Sequence, residues 1–228
     1  GSWRVASSDG QVRNFEFIIS ACGQLSKTSI PDLEGITESE GPTFHSVNWD
    51  HSLNLSGKRV AVVGTGASAI QFTPEVAKQA AQVDIYQRSA PWILHKLDRE
   101  YPEWEKRFFR RFPARISLSR LFFLSVFELL TYGFTGRHWV LKPMMKAANA
   151  YRKKELGDHP QLQAKATPDY DIGCKRALFT NDWYPTLKRA NVELIHGDAP
   201  RVTSNGLVDR EGRERPADVI IWGTGFKP

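Results

Sequence analysis

The chain has 228 residues, 41% of them hydrophobic, and a formal net charge of +6. That length and apolar content bury one good core or two small ones and exclude a disordered chain. The 31 Lys and Arg residues are scattered, without RNP motif, zinc-finger spacing or basic-zipper heptad. Nucleic acid is therefore not the expected partner, and anionic cofactor phosphates account for part of the surplus.

The chain opens on Gly1-Ser2, which reads as a cleavage scar. It lacks an initial Met and stops at Phe226-Lys227-Pro228, just after a glycine turn, so it is expected to be a piece of a longer protein. Trp3 to Ala21 reads as a β-hairpin turned at Asp9-Gly10, with Phe15 to Ala21 as an apolar strand that exits into Ala21-Cys22-Gly23. A linker punctuated by Pro31, Gly35, Gly41 and Pro42 follows. The cysteines, Cys22 and Cys174, form no Cys-x-x-Cys and no paired framework, so a reducing, cytoplasmic setting and no metal site are expected.

The most informative stretch runs from Arg59 to Ala69, where a strand-type apolar run meets Gly-x-Gly-x-x-Ala and a helical pattern follows. Gly64 permits the tight turn, Gly66 lets backbone approach a pyrophosphate, and small Ala69 lets helix pack close to strand. The diphosphate would sit on free N–H groups at the helix N-terminus, which makes Gly64, Thr65, Gly66, Ala67, Ser68, Ala69 and Gln71 candidate cofactor-binding residues. A glycine-rich strand-to-helix turn that holds no ligand has the same pattern. The helix is expected over Ser68 to Ala81, with Ile70, Val76, Ala77 and Ala80 facing inward. The next strand, Val83 to Gln87, ends where such folds read the ribose. Arg88 and Ser89 stand there instead of the acid of an NAD site, and a guanidinium fork suits the 2′-phosphate of NADP(H). Asp84 is the competing acid, placed within the strand, and an ordinary solvated arginine is the competing reading of Arg88.

About residues 97–157 the βαβ rhythm breaks into three helical patterns, Glu100–Phe112, Ile116–Phe134 and Arg137–Leu156. Leu121 to Leu130 is strongly apolar, yet with Arg120 and Glu128 it is too short and too charged for a transmembrane helix. Core packing or domain contact is the expectation. A membrane-surface helix assisted by Arg107, Arg110, Arg111 and Arg115 is the alternative. The α/β pattern resumes with a strand at Asn191–Ile195, a hairpin of Arg201–Thr203 and Leu207–Asp209 around Asn205-Gly206, and a last strand, Asp218–Trp222, ending in Gly223-Thr224-Gly225. The fold class expected is α/β, a Rossmann-like nucleotide-binding domain with a parallel sheet, flanking helices and an all-helical insertion.

Gly41, His45, Trp49 and Asp50, spaced Gly-x-x-x-His-x-x-x-Trp-Asp directly before the Gly64 turn, resemble the linker fingerprint of class B flavoprotein monooxygenases of the Baeyer–Villiger type. Ser39 departs from that family's Phe. Trp49 leans away from flavin-containing monooxygenases, which usually carry Tyr or Phe there. Gly173-Cys174-Lys175-Arg176 followed by Asn181-Asp182-Trp183-Tyr184 is similar to the family's segment bearing the active-site arginine, and Gly223-Thr224-Gly225 to its Ala-Thr-Gly hinge, with Gly223 as the departure. The resemblance implies residues 1–38 as a remnant of an FAD-binding domain, 39–56 as interdomain linker and 57–228 as the NADPH-binding domain. It implies NADP(H) and FAD as cofactors, the rest of the FAD domain outside this chain, and a ketone and O2 as substrates. Lys175 would reach the 2′-phosphate beside Arg88. Arg176 would sit over the flavin and stabilise the anionic oxygen species that attacks the ketone. His45 is implied as a hinge residue, a capping or packing histidine being equally open. Oxidation of N or S centres, and a stand-alone NADP-binding module, remain as alternatives.

Overall fold

The computed structural model describes residues 1–227. Its centre is a five-stranded parallel sheet formed by β3 (Thr43–His45), β4 (Arg59–Val63), β5 (Gln82–Gln87), β8 (Val192–His196) and β12 (Val219–Trp222), in the order β3-β12-β4-β5-β8. Strands buried on both faces read as continuous apolar runs, as Val60 to Val63 and Val219 to Trp222 do. Their alternation still sorts the two faces. Val60, Val62, Val83, Ile85 and Ile221 pack toward α1 (Ala69–Gln79) and α6 (Trp183–Leu187). Ala61, Val63, Tyr86, Ile220 and Trp222 face the antiparallel sheet of β9 (Arg201–Thr203), β10 (Gly206–Val208) and β11 (Glu214–Pro216), through Val202 and Leu207.

Helix α1 begins and ends within the predicted span, and Ile70, Val76, Ala77 and Ala80 are buried as its periodicity requires. The predicted hairpin around Asn205-Gly206 forms as β9–β10, with β11 as a third strand beyond it. Residues 27–29 run beside 225–227: the Ser29 N–H donates to the Gly225 carbonyl at 2.9 Å and the Lys227 N–H to Lys27 at 2.8 Å. The chain therefore enters and leaves the central sheet side by side.

The helical insertion consists of α2 (Glu103–Arg111), α3 (Ala114–Phe134), a short 3-10 turn at His138–Leu141, and α4 (Lys142–Leu156); α5 (Pro160–Lys165) follows. The two-residue strands β6 (Ile93–Leu94) and β7 (Leu178–Phe179) pair in parallel on either side of it.

Two expectations are corrected. The hairpin of β1 (Trp3–Ala6) and β2 (Val12–Phe15) forms around Asp9-Gly10, but the strand expected to continue to Ala21 stops at Phe15. Phe17 and Ile19 are 83% and 92% exposed, because no strand among the described residues offers them a ladder. Nor does α3 pack into a core. Gly133 is its one buried residue, lodged against Leu141 and Val140; Leu130 is half-buried on the cluster around Leu141, and Leu121 through Leu129 lie on the outside. Its apolar residues surround the whole circumference, so no single stripe directs it onto a neighbour.

Candidate functional site

In a parallel sheet all strand ends of one sense share one edge. The C-terminal ends of β4, β5, β12 and β3 therefore bring Gly64, Arg88, Gly223 and His45 to the same rim. In open α/β sheets that edge holds the ligand crevice.

The β4–α1 turn is built from backbone. Gly64 has φ +105°, and a Cβ there would stand 2.6 Å from the Gly223 carbonyl oxygen, so only glycine closes this turn. Its N–H donates to Tyr86 at 3.0 Å, and the Gly223 N–H donates to Val63 at 2.8 Å, locking three strand ends together. Gly66 is different: a Cβ there would meet only the Gly223 oxygen, at 3.8 Å, so its missing side chain leaves open approach to the backbone. Ser68 makes no side-chain cap on α1. Among the described residues, the N–H groups of Gly66, Ala67 and Ser68 donate to no carbonyl outside regular elements. Three free donors at the positive end of an eleven-residue helix make an anion cradle. Ala69 is buried, and a Cβ on Gly223 would lie 3.2 Å from the Ala69 Cβ, so helix and sheet meet at small-residue distance. Gln71 turns its amide onto the Ala67 carbonyl at 2.8 Å and so fixes the first turn of the helix.

The tip of β5 closes the other side. Thr65 Oγ1 donates to the Ser89 carbonyl at 3.3 Å, joining the glycine turn to the ribose end of the crevice. Lys175, 86 residues away in sequence, donates from Nζ to Ser89 Oγ at 2.6 Å. Its ammonium lies 4.5 Å from the centroid of the Tyr170 ring, whose own carbonyl is held by Trp92 Nε1 at 2.9 Å. The Asn181 side chain brackets the same loop, accepting from the Lys96 N–H at 2.8 Å and donating to its carbonyl at 3.0 Å. The sequence carried no local signal for Tyr170 or Trp92. Arg88, Lys175 and Arg176 are exposed. The structure thus brings Thr65, Ser89 and Lys175 together, with Arg88 next in chain and Arg176 beside Lys175. These residues fit a diphosphate at the turn and a phosphate monoester at the β5 tip.

Asp84 is removed from this crevice. Its carboxylate takes the Gln82 amide at 2.9 Å and lies 3.8 Å from Arg215. Burial is what pushes its pKa up, against the pull of those partners. Arg215 also forks onto Glu193 at 2.8 and 3.0 Å and donates to buried Asp209 at 2.9 Å. This cluster ties β5, β8 and β11 together and was not anticipated from the sequence.

The fingerprint residues are spread through the joint. Gly41 passes so close to the backbone that a Cβ would lie 2.3 Å from the Asp218 carbonyl oxygen. His45 is buried. Its Nδ1 accepts the Val47 N–H at 3.3 Å, capping a single 3-10 turn at Ser46–Asn48; its Nε2 has no partner among the described residues. The geometry is that of a capping histidine, packed edge-on against Phe226 at 5.7 Å. Trp49 packs between Phe44 and Phe72, at 5.5 and 5.3 Å, and so fastens the linker to α1. Asp50 accepts from the Ser52 N–H and hydroxyl, closing the next turn. Thr224 donates its hydroxyl to the Ser29 carbonyl, and Gly225, at φ +81°, makes the exit turn beside it.

A parallel sheet with a glycine turn, an open helix N-terminus and cations at the second strand tip defines a Rossmann-like dinucleotide-binding fold. The profile of the flavin-binding monooxygenase-like family matches residues 1–131, and the chain belongs to that family. Among its relatives, a Baeyer-Villiger monooxygenase of Pseudomonas aeruginosa is 46% identical over 98% of this chain and 42% of its own length. One of Streptomyces coelicolor is 36% identical over 98% of this chain and 43% of its length. The chain therefore spans less than half the length of these relatives. Among solved structures, OTEMO in complex with FAD and NADP superimposes with TM-score 0.78 at 25% identity, over 99% of this chain and 50% of that one.

Proposed function

We propose that this chain is the NADPH-binding portion of an FAD-dependent monooxygenase that inserts oxygen beside a ketone carbonyl. One observation carries the reading most directly: Lys175 reaches across 86 residues to Ser89, beside Arg88 and one link from the glycine turn. The cations at the β5 tip support a 2′-phosphate there, and the open N–H groups of the turn support a diphosphate. Gly64, Thr65, Gly66, Ala67, Ser68 and Ala69 are assigned to the diphosphate, with Gln71 bracing the helix turn beneath it. Arg88, Ser89 and Lys175 are assigned to the 2′-phosphate.

The domain division proposed is 1–38 with the FAD domain, 39–56 as linker and 57–228 as the NADPH domain. Exposed Phe17 and Ile19 suit a strand whose ladder belongs to that FAD domain. The tethers at Trp49 and Thr224, with the turn at Gly225, would carry motion between the domains, and Gly41, His45, Asp50 and Gly223 shape the joint around them. Bound FAD would supply the redox chemistry that activates O2. This chain supplies the nucleotide cradle and, in Arg176, a permanent positive charge for the anion that develops on oxygen. Both cysteines are free and exposed, which suits a reducing, cytoplasmic compartment.

Product analysis of the full-length protein tests the reaction class. With NADPH, O2 and a mixture of a cyclic ketone and a thioether, the expected product is the lactone. Sulfoxide without lactone would move the assignment to heteroatom oxygenation, the reading in which Arg176 is least needed. Nucleotide binding with neither product would leave a stand-alone NADP-binding module.

A further inference from the structure

Helix α3 is 21 residues long with a mean hydropathy of 1.3 in its most apolar window, and only 6% of that window is buried. Leu121, Phe122 and Phe127 are 58%, 64% and 62% exposed, and Ile116, Leu118, Phe123, Leu124 and Leu129 are exposed with them. At 100° per residue these positions surround the helix. With no single apolar stripe, this helix has no face that selects one protein surface, and its large side chains are open on every side. Two hydroxyls midway along are satisfied within the helix, Ser125 Oγ donating to Leu121 and Thr131 Oγ1 to Phe127, each at 2.9 Å, and Glu128 is the one carboxylate on it, exposed to solvent.

Cations stand at both ends of this helix: at the C-terminal end Arg137 stacks on Tyr132 at 4.0 Å, and the denser cluster lies at the N-terminal end. Arg107, Arg110, Arg111, Arg115 and Arg120 crowd its N-terminal end, and none of the five is paired with a carboxylate among the described residues. Arg115 stacks at 5.7 Å from Phe108 and Arg111 at 5.8 Å from Phe112, so aromatic and cationic groups are interleaved at this end of the insertion. The other end of α3 is fastened to the body through Gly133, against Leu141. Crossing a bilayer from that anchor would carry the five arginines through hydrocarbon, which excludes a spanning helix. Lying in the interface leaves them at the headgroups.

We propose that α2 and α3 form an interfacial paddle that binds an anionic lipid surface. Arg107, Arg110, Arg111, Arg115 and Arg120 meet the headgroups, and the apolar side chains between Leu121 and Leu129 meet the acyl boundary. The proposal does not depend on the oxygenase reading, and either can fail alone.

The test is flotation of the full-length protein with vesicles of phosphatidylcholine alone and with one-third phosphatidylglycerol. Two variants accompany it, R107Q/R110Q/R111Q and F122S/F127S. Both alter exposed positions, and unchanged NADPH affinity confirms that each remains folded. The wild type is expected to float with the anionic vesicles, to be released by high salt, and to bind neutral vesicles weakly. The arginine variant is expected to lose about a hundredfold in partitioning. The phenylalanine variant is expected to lose binding to both vesicle types. Absence of wild-type flotation at low salt, flotation unchanged in both variants, or concentration-dependent dimerisation with no vesicle binding would each overturn the proposal. The last would make the occupant of this face a second copy of the chain. Inaccessibility of α3 to limited proteolysis in the full-length protein without lipid would also overturn it, placing the rest of the chain on the helix.

Discussion

Arg176→Ala in the full-length protein is expected to lower ketone oxygenation about 100- to 1000-fold while reduction of the flavin by NADPH keeps its rate. The two half-reactions place different demands on the site. Hydride transfer needs the nicotinamide aligned, whereas oxygenation needs a positive partner where negative charge develops, and removal of one such partner typically costs that much. Arg176 is exposed in a loop held from both sides, by Lys175 on Ser89 and by Asn181 on Lys96. Truncation should therefore leave the loop in place. Stopped-flow absorbance separates the reductive from the oxidative step, and product analysis should show NADPH oxidised without ester. Oxygenation by Arg176→Ala at the wild-type rate would remove this residue from the chemistry.

Arg215→Met is expected to destabilise the fold by about 1.5–3 kcal/mol at neutral pH, the usual worth of hydrogen bonds to charged groups in a half-buried network. Methionine keeps much of the stem, so the loss is electrostatic. Asp209, Glu193 and Asp84 are left facing one another without the cation they share. The pH dependence follows from their shifts. Burial raises the pKa of Asp209, but hydrogen bonds from Arg215, Arg213 and two backbone N–H groups bring it down to about 2. A depressed carboxylate contributes stability that is present above its ordinary value and lost as pH falls through the folded one. The gap between wild type and variant should therefore be widest near neutrality and close between about pH 4 and pH 2. Urea titrations at several pH values check this; a gap independent of pH would mean that packing, not charge, was lost.

Local chemistry made the nucleotide cradle legible in the sequence. Gly64 and Gly66 occupy positions where a side chain would prevent a turn or narrow an approach, and that requirement shows in a few residues of sequence. The periodicity of α1 was equally local, and its buried residues matched. What joins distant segments was not legible. No spacing reveals that Lys175 touches Ser89; the family resemblance suggested Lys175 near Arg88, and the geometry shows the contact with Ser89. Arg215 gathers three carboxylates from other strands, and nothing near it in sequence predicted that. The two corrected elements share one cause. Phe17, Ile19 and the apolar run of α3 declare that they are hydrophobic, but hydrophobicity does not name the surface that covers it. Asp84 shows the converse: in the sequence it competes as the acid on the ribose-reading strand, and the structure turns it to Arg215 instead.

Isothermal titration of this chain with NADPH and NADH tests the central claim most directly. The wild type is expected to bind NADPH more tightly. Arg88→Ala and Lys175→Ala should each lose about 1.5–3 kcal/mol of NADPH binding, the worth of one charge-assisted hydrogen bond, and leave NADH binding nearly unchanged. Equal affinity for the two nucleotides in the wild type, or equal losses for both in the variants, would contradict the assignment of Arg88, Ser89 and Lys175 to the 2′-phosphate.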